Sequence, residues 1–171
     1  MNKSINEIQN EIIEELEVFS EWLDKYNYLI ELSAHLPMIK TERRTDQFAI
    51  KGCQSRVWID AELRDGKIYF SADSDAIITK GIIALLIRVL NGHTPSEIAD
   101  VNLYFIDRIG LSENLSPTRA NGLVAMVRQM KMFALAYAQT ELKDGSVTAV
   151  KTTNDETTGD TRHRKGYNLY S

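Results

Sequence analysis

The stretch Val57-Trp58-Ile59-Asp60-Ala61-Glu62-Leu63-Arg64-Asp65-Gly66-Lys67-Ile68-Tyr69-Phe70-Ser71-Ala72 decides the fold. Val57, Ile59, Ala61 and Leu63 alternate with Trp58, Asp60, Glu62 and Arg64, the period-two signature of a half-buried strand. Asp65-Gly66 is the favoured pair for a two-residue type I′ turn. After it, Ile68, Phe70 and Ala72 alternate with Tyr69 and Ser71. A turn at those two residues pairs Arg64 with Lys67, Leu63 with Ile68, Ala61 with Phe70 and Ile59 with Ala72. Every apolar residue then meets an apolar residue on one face, while Glu62 meets Tyr69 and Asp60 meets Ser71 on the other. A slip of one residue destroys the match, so the register is specified by the sequence. Two strands alone are only marginally stable. The preceding run Gln47 to Lys51, with Phe48 and Ile50 on one face, is expected to add a third strand.

Helical patterns flank this meander. Ser4-Ile5-Asn6-Glu7 fits a capping box, and Ile5, Ile8, Ile12, Leu16 and Phe19 follow at helical spacing. A second helix is expected from about Trp22 to Leu32, ended by Pro37, which disfavours helical geometry at Leu36. Beyond the hairpin, Asp73 or Ser74 can cap a helix, with Asp75 in its first turn beside the positive end of the dipole. Ile77, Ile78, Ile82, Ile83, Leu85, Leu86, Val89 and Leu90 leave that helix almost no polar face, so it should be buried. Asn91-Gly92 stops it. Thr94-Pro95 and Ser116-Pro117 each look like a cap followed by proline at the first helical position. The second of these starts a helix with Leu123, Met126, Val127, Met130, Phe133 and Tyr137 on one stripe.

The expected fold is therefore α+β: a small antiparallel three-stranded sheet, a β-meander, with N-terminal and C-terminal helices packed on one face. It occupies residues 1–140 as one domain. Residues 141–171 are rich in Thr, Asp, Gly and Asn and poor in apolar residues, and read as a polar, flexible tail.

Composition narrows the function. The 171 residues carry 20 Lys plus Arg against 24 Asp plus Glu, a net charge of −4. A nucleic-acid binder would usually show a basic surplus. Eight of those acids lie in residues 1–31, and the solvated face of an amphipathic helix accounts for them. The N-terminus has no uncharged apolar core of a signal peptide, and no apolar run is long enough to span a bilayer. A cytoplasmic, reduced protein is expected, with neither nucleic acid nor membrane as partner.

There is one cysteine, Cys53. An internal disulfide and any multi-cysteine metal or cluster site are excluded. No His/Asp/Glu group has metal-ligand spacing, and there is no phosphate loop. Cys53 falls between two predicted strands, at a turn that begins with Gly52. Lys51 and Arg56 flank it, Arg119 can join through the fold, and positive charge favours the reactive thiolate. A free cysteine is also often a small buried hydrophobe, and the residues alone balance the two readings. His35 and His93 fall in predicted loops as surface residues. A cysteine hydrolase would need one of them as a base near the thiol, and neither is marked as such.

Gly52-Cys53-Gln54-Ser55-Arg56-Val57-Trp58 resembles the active-cysteine loop of the SufE family of sulfur acceptors, the SufE/CsdE proteins. Leu29-Ile30-Glu31-Leu32 with Leu36-Pro37, Ser74-Asp75-Ala76 with Lys80-Gly81, Thr94-Pro95 with Ile98, and Leu115-Ser116-Pro117-Thr118-Arg119 with Gly122-Leu123 and Ala125-Met126 resemble further family segments in the same order. The resemblance covers about residues 20–140. It implies a SufE/IscU-like fold and a partner, a pyridoxal-phosphate cysteine desulfurase of the SufS type, which holds sulfur from L-cysteine as a persulfide. The chain would take that sulfur onto Cys53, stimulate the desulfurase and deliver the sulfur to an iron–sulfur cluster scaffold of the SufBCD kind. It would itself hold no cofactor beyond the transient persulfide, and no metal. Gly52, Gln54 and Ser55 would shape a loop that carries Cys53 between sheltered and partner-facing positions, with Lys51 and Arg56 at its ends. Arg119 would support the loop or stabilise the thiolate, and Asp75 would make a loop or interface contact. The alternatives are a binding module with an inert buried cysteine and a cysteine hydrolase.

Overall fold

The structure is a computed structural model that describes residues 2–144 and Tyr170. The hairpin forms as its alternation dictates. Strands β1 (Val57–Arg64) and β2 (Lys67–Ser74) pair antiparallel, with Arg64 opposite Lys67, Ala61 opposite Phe70 and Ile59 opposite Ala72. Asp65 and Gly66 both adopt positive φ, 51° and 76°, as a type I′ turn requires.

The third strand does not form. Residues Asp46–Phe48 make a single 3-10 turn, and only an isolated bridge, Ala49 to Trp58, extends the sheet beyond β1. That 3-10 turn takes residues 46–48 out of extended geometry before pairing can propagate past Ala49. The preceding residues instead cover the outer face of the hairpin. Arg43 pairs with Asp60 at 2.9 Å. Arg44 reaches Asp73 at 3.1 Å and lies over the Trp58 ring at 4.8 Å. Trp58 and Asp73, on the face expected to be polar, are buried for that reason.

The edge of β2 is closed by other means. The N–H groups of Ile68, Phe70 and Ala72 donate to the His93 carbonyl (2.9 Å), Asn91 Oδ1 (2.8 Å) and the Pro37 carbonyl (2.9 Å). Two strands suffice because these ladder donors all find partners, which removes the usual liability of an exposed edge.

Seven helices flank the hairpin among the described residues: α1 (Ile5–Glu17), α2 (Trp22–Ser33), α3 (Ile77–Leu90), α4 (Pro95–Asp100), α5 (Phe105–Arg108), α6 (Leu111–Asn114) and α7 (Pro117–Asp144). Ser4 caps α1 by accepting from the Glu7 N–H at 3.1 Å, and Thr94 caps α4 by accepting from Glu97. The core fills the space between the apolar face of the hairpin and α1, α3 and α7. Phe70, Ile59, Ile82, Leu85 and Met130 are nearly inaccessible there, and Phe133 of α7 meets Phe70 edge-on. Helix α3 is buried along most of its length, as its composition requires.

Two expectations are corrected at the start of α3. The helix begins at Ile77 with Ala76 as its cap residue and no side-chain cap, so neither Asp73 nor Ser74 caps it and Asp75 precedes its first turn. Asp73 is instead held by Arg44 and by Lys80 at 3.3 Å. His93 is also no surface residue. It is 7% exposed, and its ring nitrogens face the carbonyls of Leu90 and Lys3 at 3.2 and 2.9 Å, tying the end of α3 to the N-terminus. His35 is exposed. Helix α7 continues to Asp144, four residues into the expected tail. The flexibility expected of residues 145–169 and 171 lies outside the described residues. Tyr170 is buried against the core, its hydroxyl bonded to Ser112 and its carbonyl accepting from Leu103 N–H at 3.4 Å.

Candidate functional site

Cys53 sits on a loop, residues 51–56, whose two ends are fastened. The Ile50 N–H donates to the Val57 carbonyl at 2.8 Å, closing the neck. At the downstream end, the Arg56 N–H donates to Asp75 Oδ1 at 3.0 Å. The Arg56 carbonyl accepts from Ser74 Oγ at 2.7 Å and from the Asp75 N–H at 3.2 Å. The residues expected to start α3 thus clamp the cysteine loop instead.

The middle of the loop is held more lightly. Cys53 is half-buried, and its thiol donates to the Gly122 carbonyl of α7 at 3.6 Å. It faces a cavity of about 480 Å³. Gln54 and Ser55 line this cavity from the loop, Asp75, Thr79 and Ile82 from the α3 side, and Arg119, Gly122 and Met126 from α7. Its wall is therefore mixed, with carboxylate, guanidinium and hydroxyl groups beside apolar side chains.

The structure brings together Cys53, Gln54, Ser55, Asp75 and Arg119. It does not bring in the two flanking bases. Lys51 is exposed and lines a separate groove with Ala125, Arg128 and Met132. Arg56 contributes its backbone to the Asp75 clamp, and its side chain is outside the cavity lining. The charge expected from these two neighbours to favour the thiolate is thus absent from its immediate surroundings. Burial alone acts on Cys53, and it pushes the thiol above its ordinary value. In this conformation Cys53 is half-sheltered, and its burial favours the neutral thiol over the thiolate.

Arg119 lies in the first turn of α7, where a cation opposes the helix dipole. Its guanidinium donates to the Tyr26 hydroxyl of α2 at 2.6 Å, which fixes it at the cavity wall. Ser116 Oγ accepts from the Arg119 N–H at 3.3 Å and so caps the helix. Sequence reasoning missed Tyr26, Thr79 and the role of Gly122. Only the last left a signal, a glycine inside a helical run, which costs helix stability unless close approach needs it. Among the described residues no histidine lines the Cys53 cavity, and no group of three or more His, Cys, Asp or Glu is placed to hold a metal ion. No helix among them is long and apolar enough to cross a membrane.

These features define a small α+β protein with a single thiol at a loop tip, folded back against a long helix and facing a cavity. The family model for SufE, the Fe-S metabolism associated domain, matches residues 10–134. An uncharacterized SufE-like protein of Rhizobium meliloti (strain 1021) is 38% identical over 129 residues, covering 71% of this chain and 91% of that one. A second, from Synechocystis sp., is 36% identical over 126 residues, covering 74% of this chain and 79% of that one. The solution structure of a hypothetical protein from Thermus thermophilus shares the fold, with a TM-score of 0.65 at 21% identity, over 77% of this chain and 96% of that one. The chain belongs to the SufE family. That places it in iron–sulfur metabolism, with a cysteine desulfurase as the general partner.

Proposed function

We propose that the protein is a sulfur carrier that takes persulfide sulfur from a SufS-type desulfurase onto Cys53, stimulates that enzyme, and delivers the sulfur to a SufBCD-like scaffold. The observation that carries this reading is the position of Cys53, at a loop tip over a cavity, in a chain of the SufE family. The transfer is thiol–disulfide exchange in form. The Cys53 thiolate attacks the terminal sulfur of the desulfurase persulfide. A new sulfur–sulfur bond forms at Cys53, the old one breaks, and the desulfurase cysteine leaves as a thiolate. The proton that Cys53 gives up to become a thiolate passes to solvent, and no net oxidation occurs.

The chain's own residues have separable tasks. Asp75 fixes the loop end, Arg119 supplies a cation at the cavity wall that can stabilise a thiolate or persulfide anion, and Ile82 and Met126 supply the apolar part of that wall. Gln54 and Ser55 move with the cysteine, while exposed Lys51 and Arg56 face a partner. Because burial disfavours the thiolate and the thiol rests on the Gly122 carbonyl, attack is favoured once the loop leaves Gly122 and exposes Cys53 to solvent or to the partner.

The test is to mix the protein with a SufS-type desulfurase and L-cysteine and record intact mass without reductant. A gain of one sulfur atom, absent in Cys53→Ser, supports the reading. No gain with an active cognate desulfurase leaves a binding module with an inert cysteine.

A further inference from the structure

Gly122 stands in the interior of α7, where glycine is the least favourable residue after proline. Its backbone φ is not in the left-handed region, so conformation does not demand a glycine there. Space does. A Cβ at this position would stand 3.3 Å from Cys53 Sγ and 3.8 Å from both Cys53 Cα and Cβ. The first of these is closer than carbon and sulfur ordinarily approach. The same residue's carbonyl accepts the thiol's hydrogen at 3.6 Å. Gly122 is buried beneath the loop, whereas Gln54, the residue after Cys53, is exposed. The loop therefore rests on the helix at a residue that lacks a side chain.

We infer that Gly122 is a positioning residue for sulfur transfer: its missing side chain forms the seat in which the Cys53 thiol is parked, and its carbonyl is the latch that the loop must break to present the sulfur. This rests on the sulfur-carrier reading for its purpose, though not for its geometry. The loop ends are fastened through Ile50 and Val57 and through Arg56 and Asp75. Displacement of Cys53 can thus occur by rotation within residues 52–55, with Gly52 at a φ of 94° free to take up the change. A side chain at position 122 pushes against sulfur at the end of a flexible loop, so it shifts the loop outward and leaves the helix in place.

The experiment is native alkylation of Cys53 with iodoacetamide across a range of pH, in the wild type, Gly122→Ala and Gly122→Val. The expected result is a rate increase of about fivefold in Gly122→Ala, the change that loss of one weak hydrogen bond makes to a two-state equilibrium. A larger increase is expected in Gly122→Val, and in both the rate profile shifts to lower pH as the thiol regains water. A merely structural glycine would leave that profile unmoved. Rates and profile within about twofold of wild type in folded Gly122→Ala would overturn the inference, being well short of the loss of that hydrogen bond; should Gly122→Val fail to fold, Gly122→Ala decides alone. Sulfur uptake by the wild type, scored separately by intact mass, distinguishes the two failures. Uptake with unchanged alkylation in Gly122→Ala sinks the seat and keeps the carrier; no uptake with accelerated alkylation does the reverse.

Discussion

Gly81 and Gly122 are both glycines inside helices, and each is there because something comes too close for a Cβ. At Gly81 the obstacle is backbone: a Cβ would fall 2.1 Å from the Leu29 carbonyl oxygen and 2.7 Å from its carbon. At Gly122 it is the Cys53 thiol, 3.3 Å away on a loop. The first approach joins α2 to α3, two elements that cannot yield without coming apart. The second joins α7 to a segment tied down only at its ends. The same residue type fixes the fold in one place and leaves the site movable in the other. What separates them is the stiffness of the neighbour.

The largest expected effect breaks the rigid member of the pair. Gly81→Ala should lower stability by about 3 kcal/mol, because the overlap with Leu29 forces the helices apart. Urea denaturation monitored by circular dichroism checks this, and an unchanged midpoint would remove the distinction. Asp75→Ala comes next. It deletes the carboxylate that accepts from Arg56 and should cost about 1 kcal/mol. The same variant should also alkylate faster at Cys53, since one fastened end of the loop is freed. Gly122→Ala should change stability by less than about 1 kcal/mol, since the helix gains from alanine what the displaced loop loses.

The smallest effects are in pH. Arg88, which forms a two-pronged ion pair with Glu15 at 2.7 and 2.8 Å, holds the Glu15 carboxyl down to about 2. A carboxyl lowered in the folded state stabilises above its unfolded value and loses that contribution as pH falls toward the folded one. The loss from Glu15 should therefore appear between about pH 4.5 and 2. Partial exposure keeps it under about 1 kcal/mol. Acid titration of wild type against Glu15→Gln measures it. Cys53 has the opposite sign. Its raised value means that the fold holds the thiol proton longer than the unfolded chain does, so stability is unaffected at neutral pH and falls as alkaline pH rises from the unfolded value toward the folded one.

The hairpin was legible in the sequence because alternation and the Asp65-Gly66 turn are local signals, and its register was readable on paper. The third strand was not, because Gln47 to Lys51 has strand-like alternation while the decision to pair is made elsewhere. Arg43 and Arg44 find Asp60, Asp73 and Trp58 across the sheet, and the 3-10 turn at Asp46–Phe48 ends the pairing at Ala49. Asp73, Ser74 and Asp75 carry ordinary capping chemistry, and only the return of the loop shows that they serve Arg56 and Arg44. In the site, Cys53 and Arg119 could be named, since motif and helix position mark them. Lys51 and Arg56 flank Cys53 on the loop as read but lie outside the cavity lining, because adjacency in sequence does not put charge beside a thiol on a turning loop. Gly122 lies 69 residues from Cys53, a contact that no local pattern encodes.

The burial of Cys53 also has a consequence for chemical wear. Peroxide oxidises the thiolate far more readily than the thiol, and the climb past sulfenic acid is irreversible for most proteins. On the proposed sulfur-carrier reading, a cysteine whose neutral form is favoured against Gly122 is shielded during its idle time and exposed to damage while the loop is out. Oxidative loss in such a protein should therefore track how often it is used, so that a busy carrier ages faster than a resting one in the same cell.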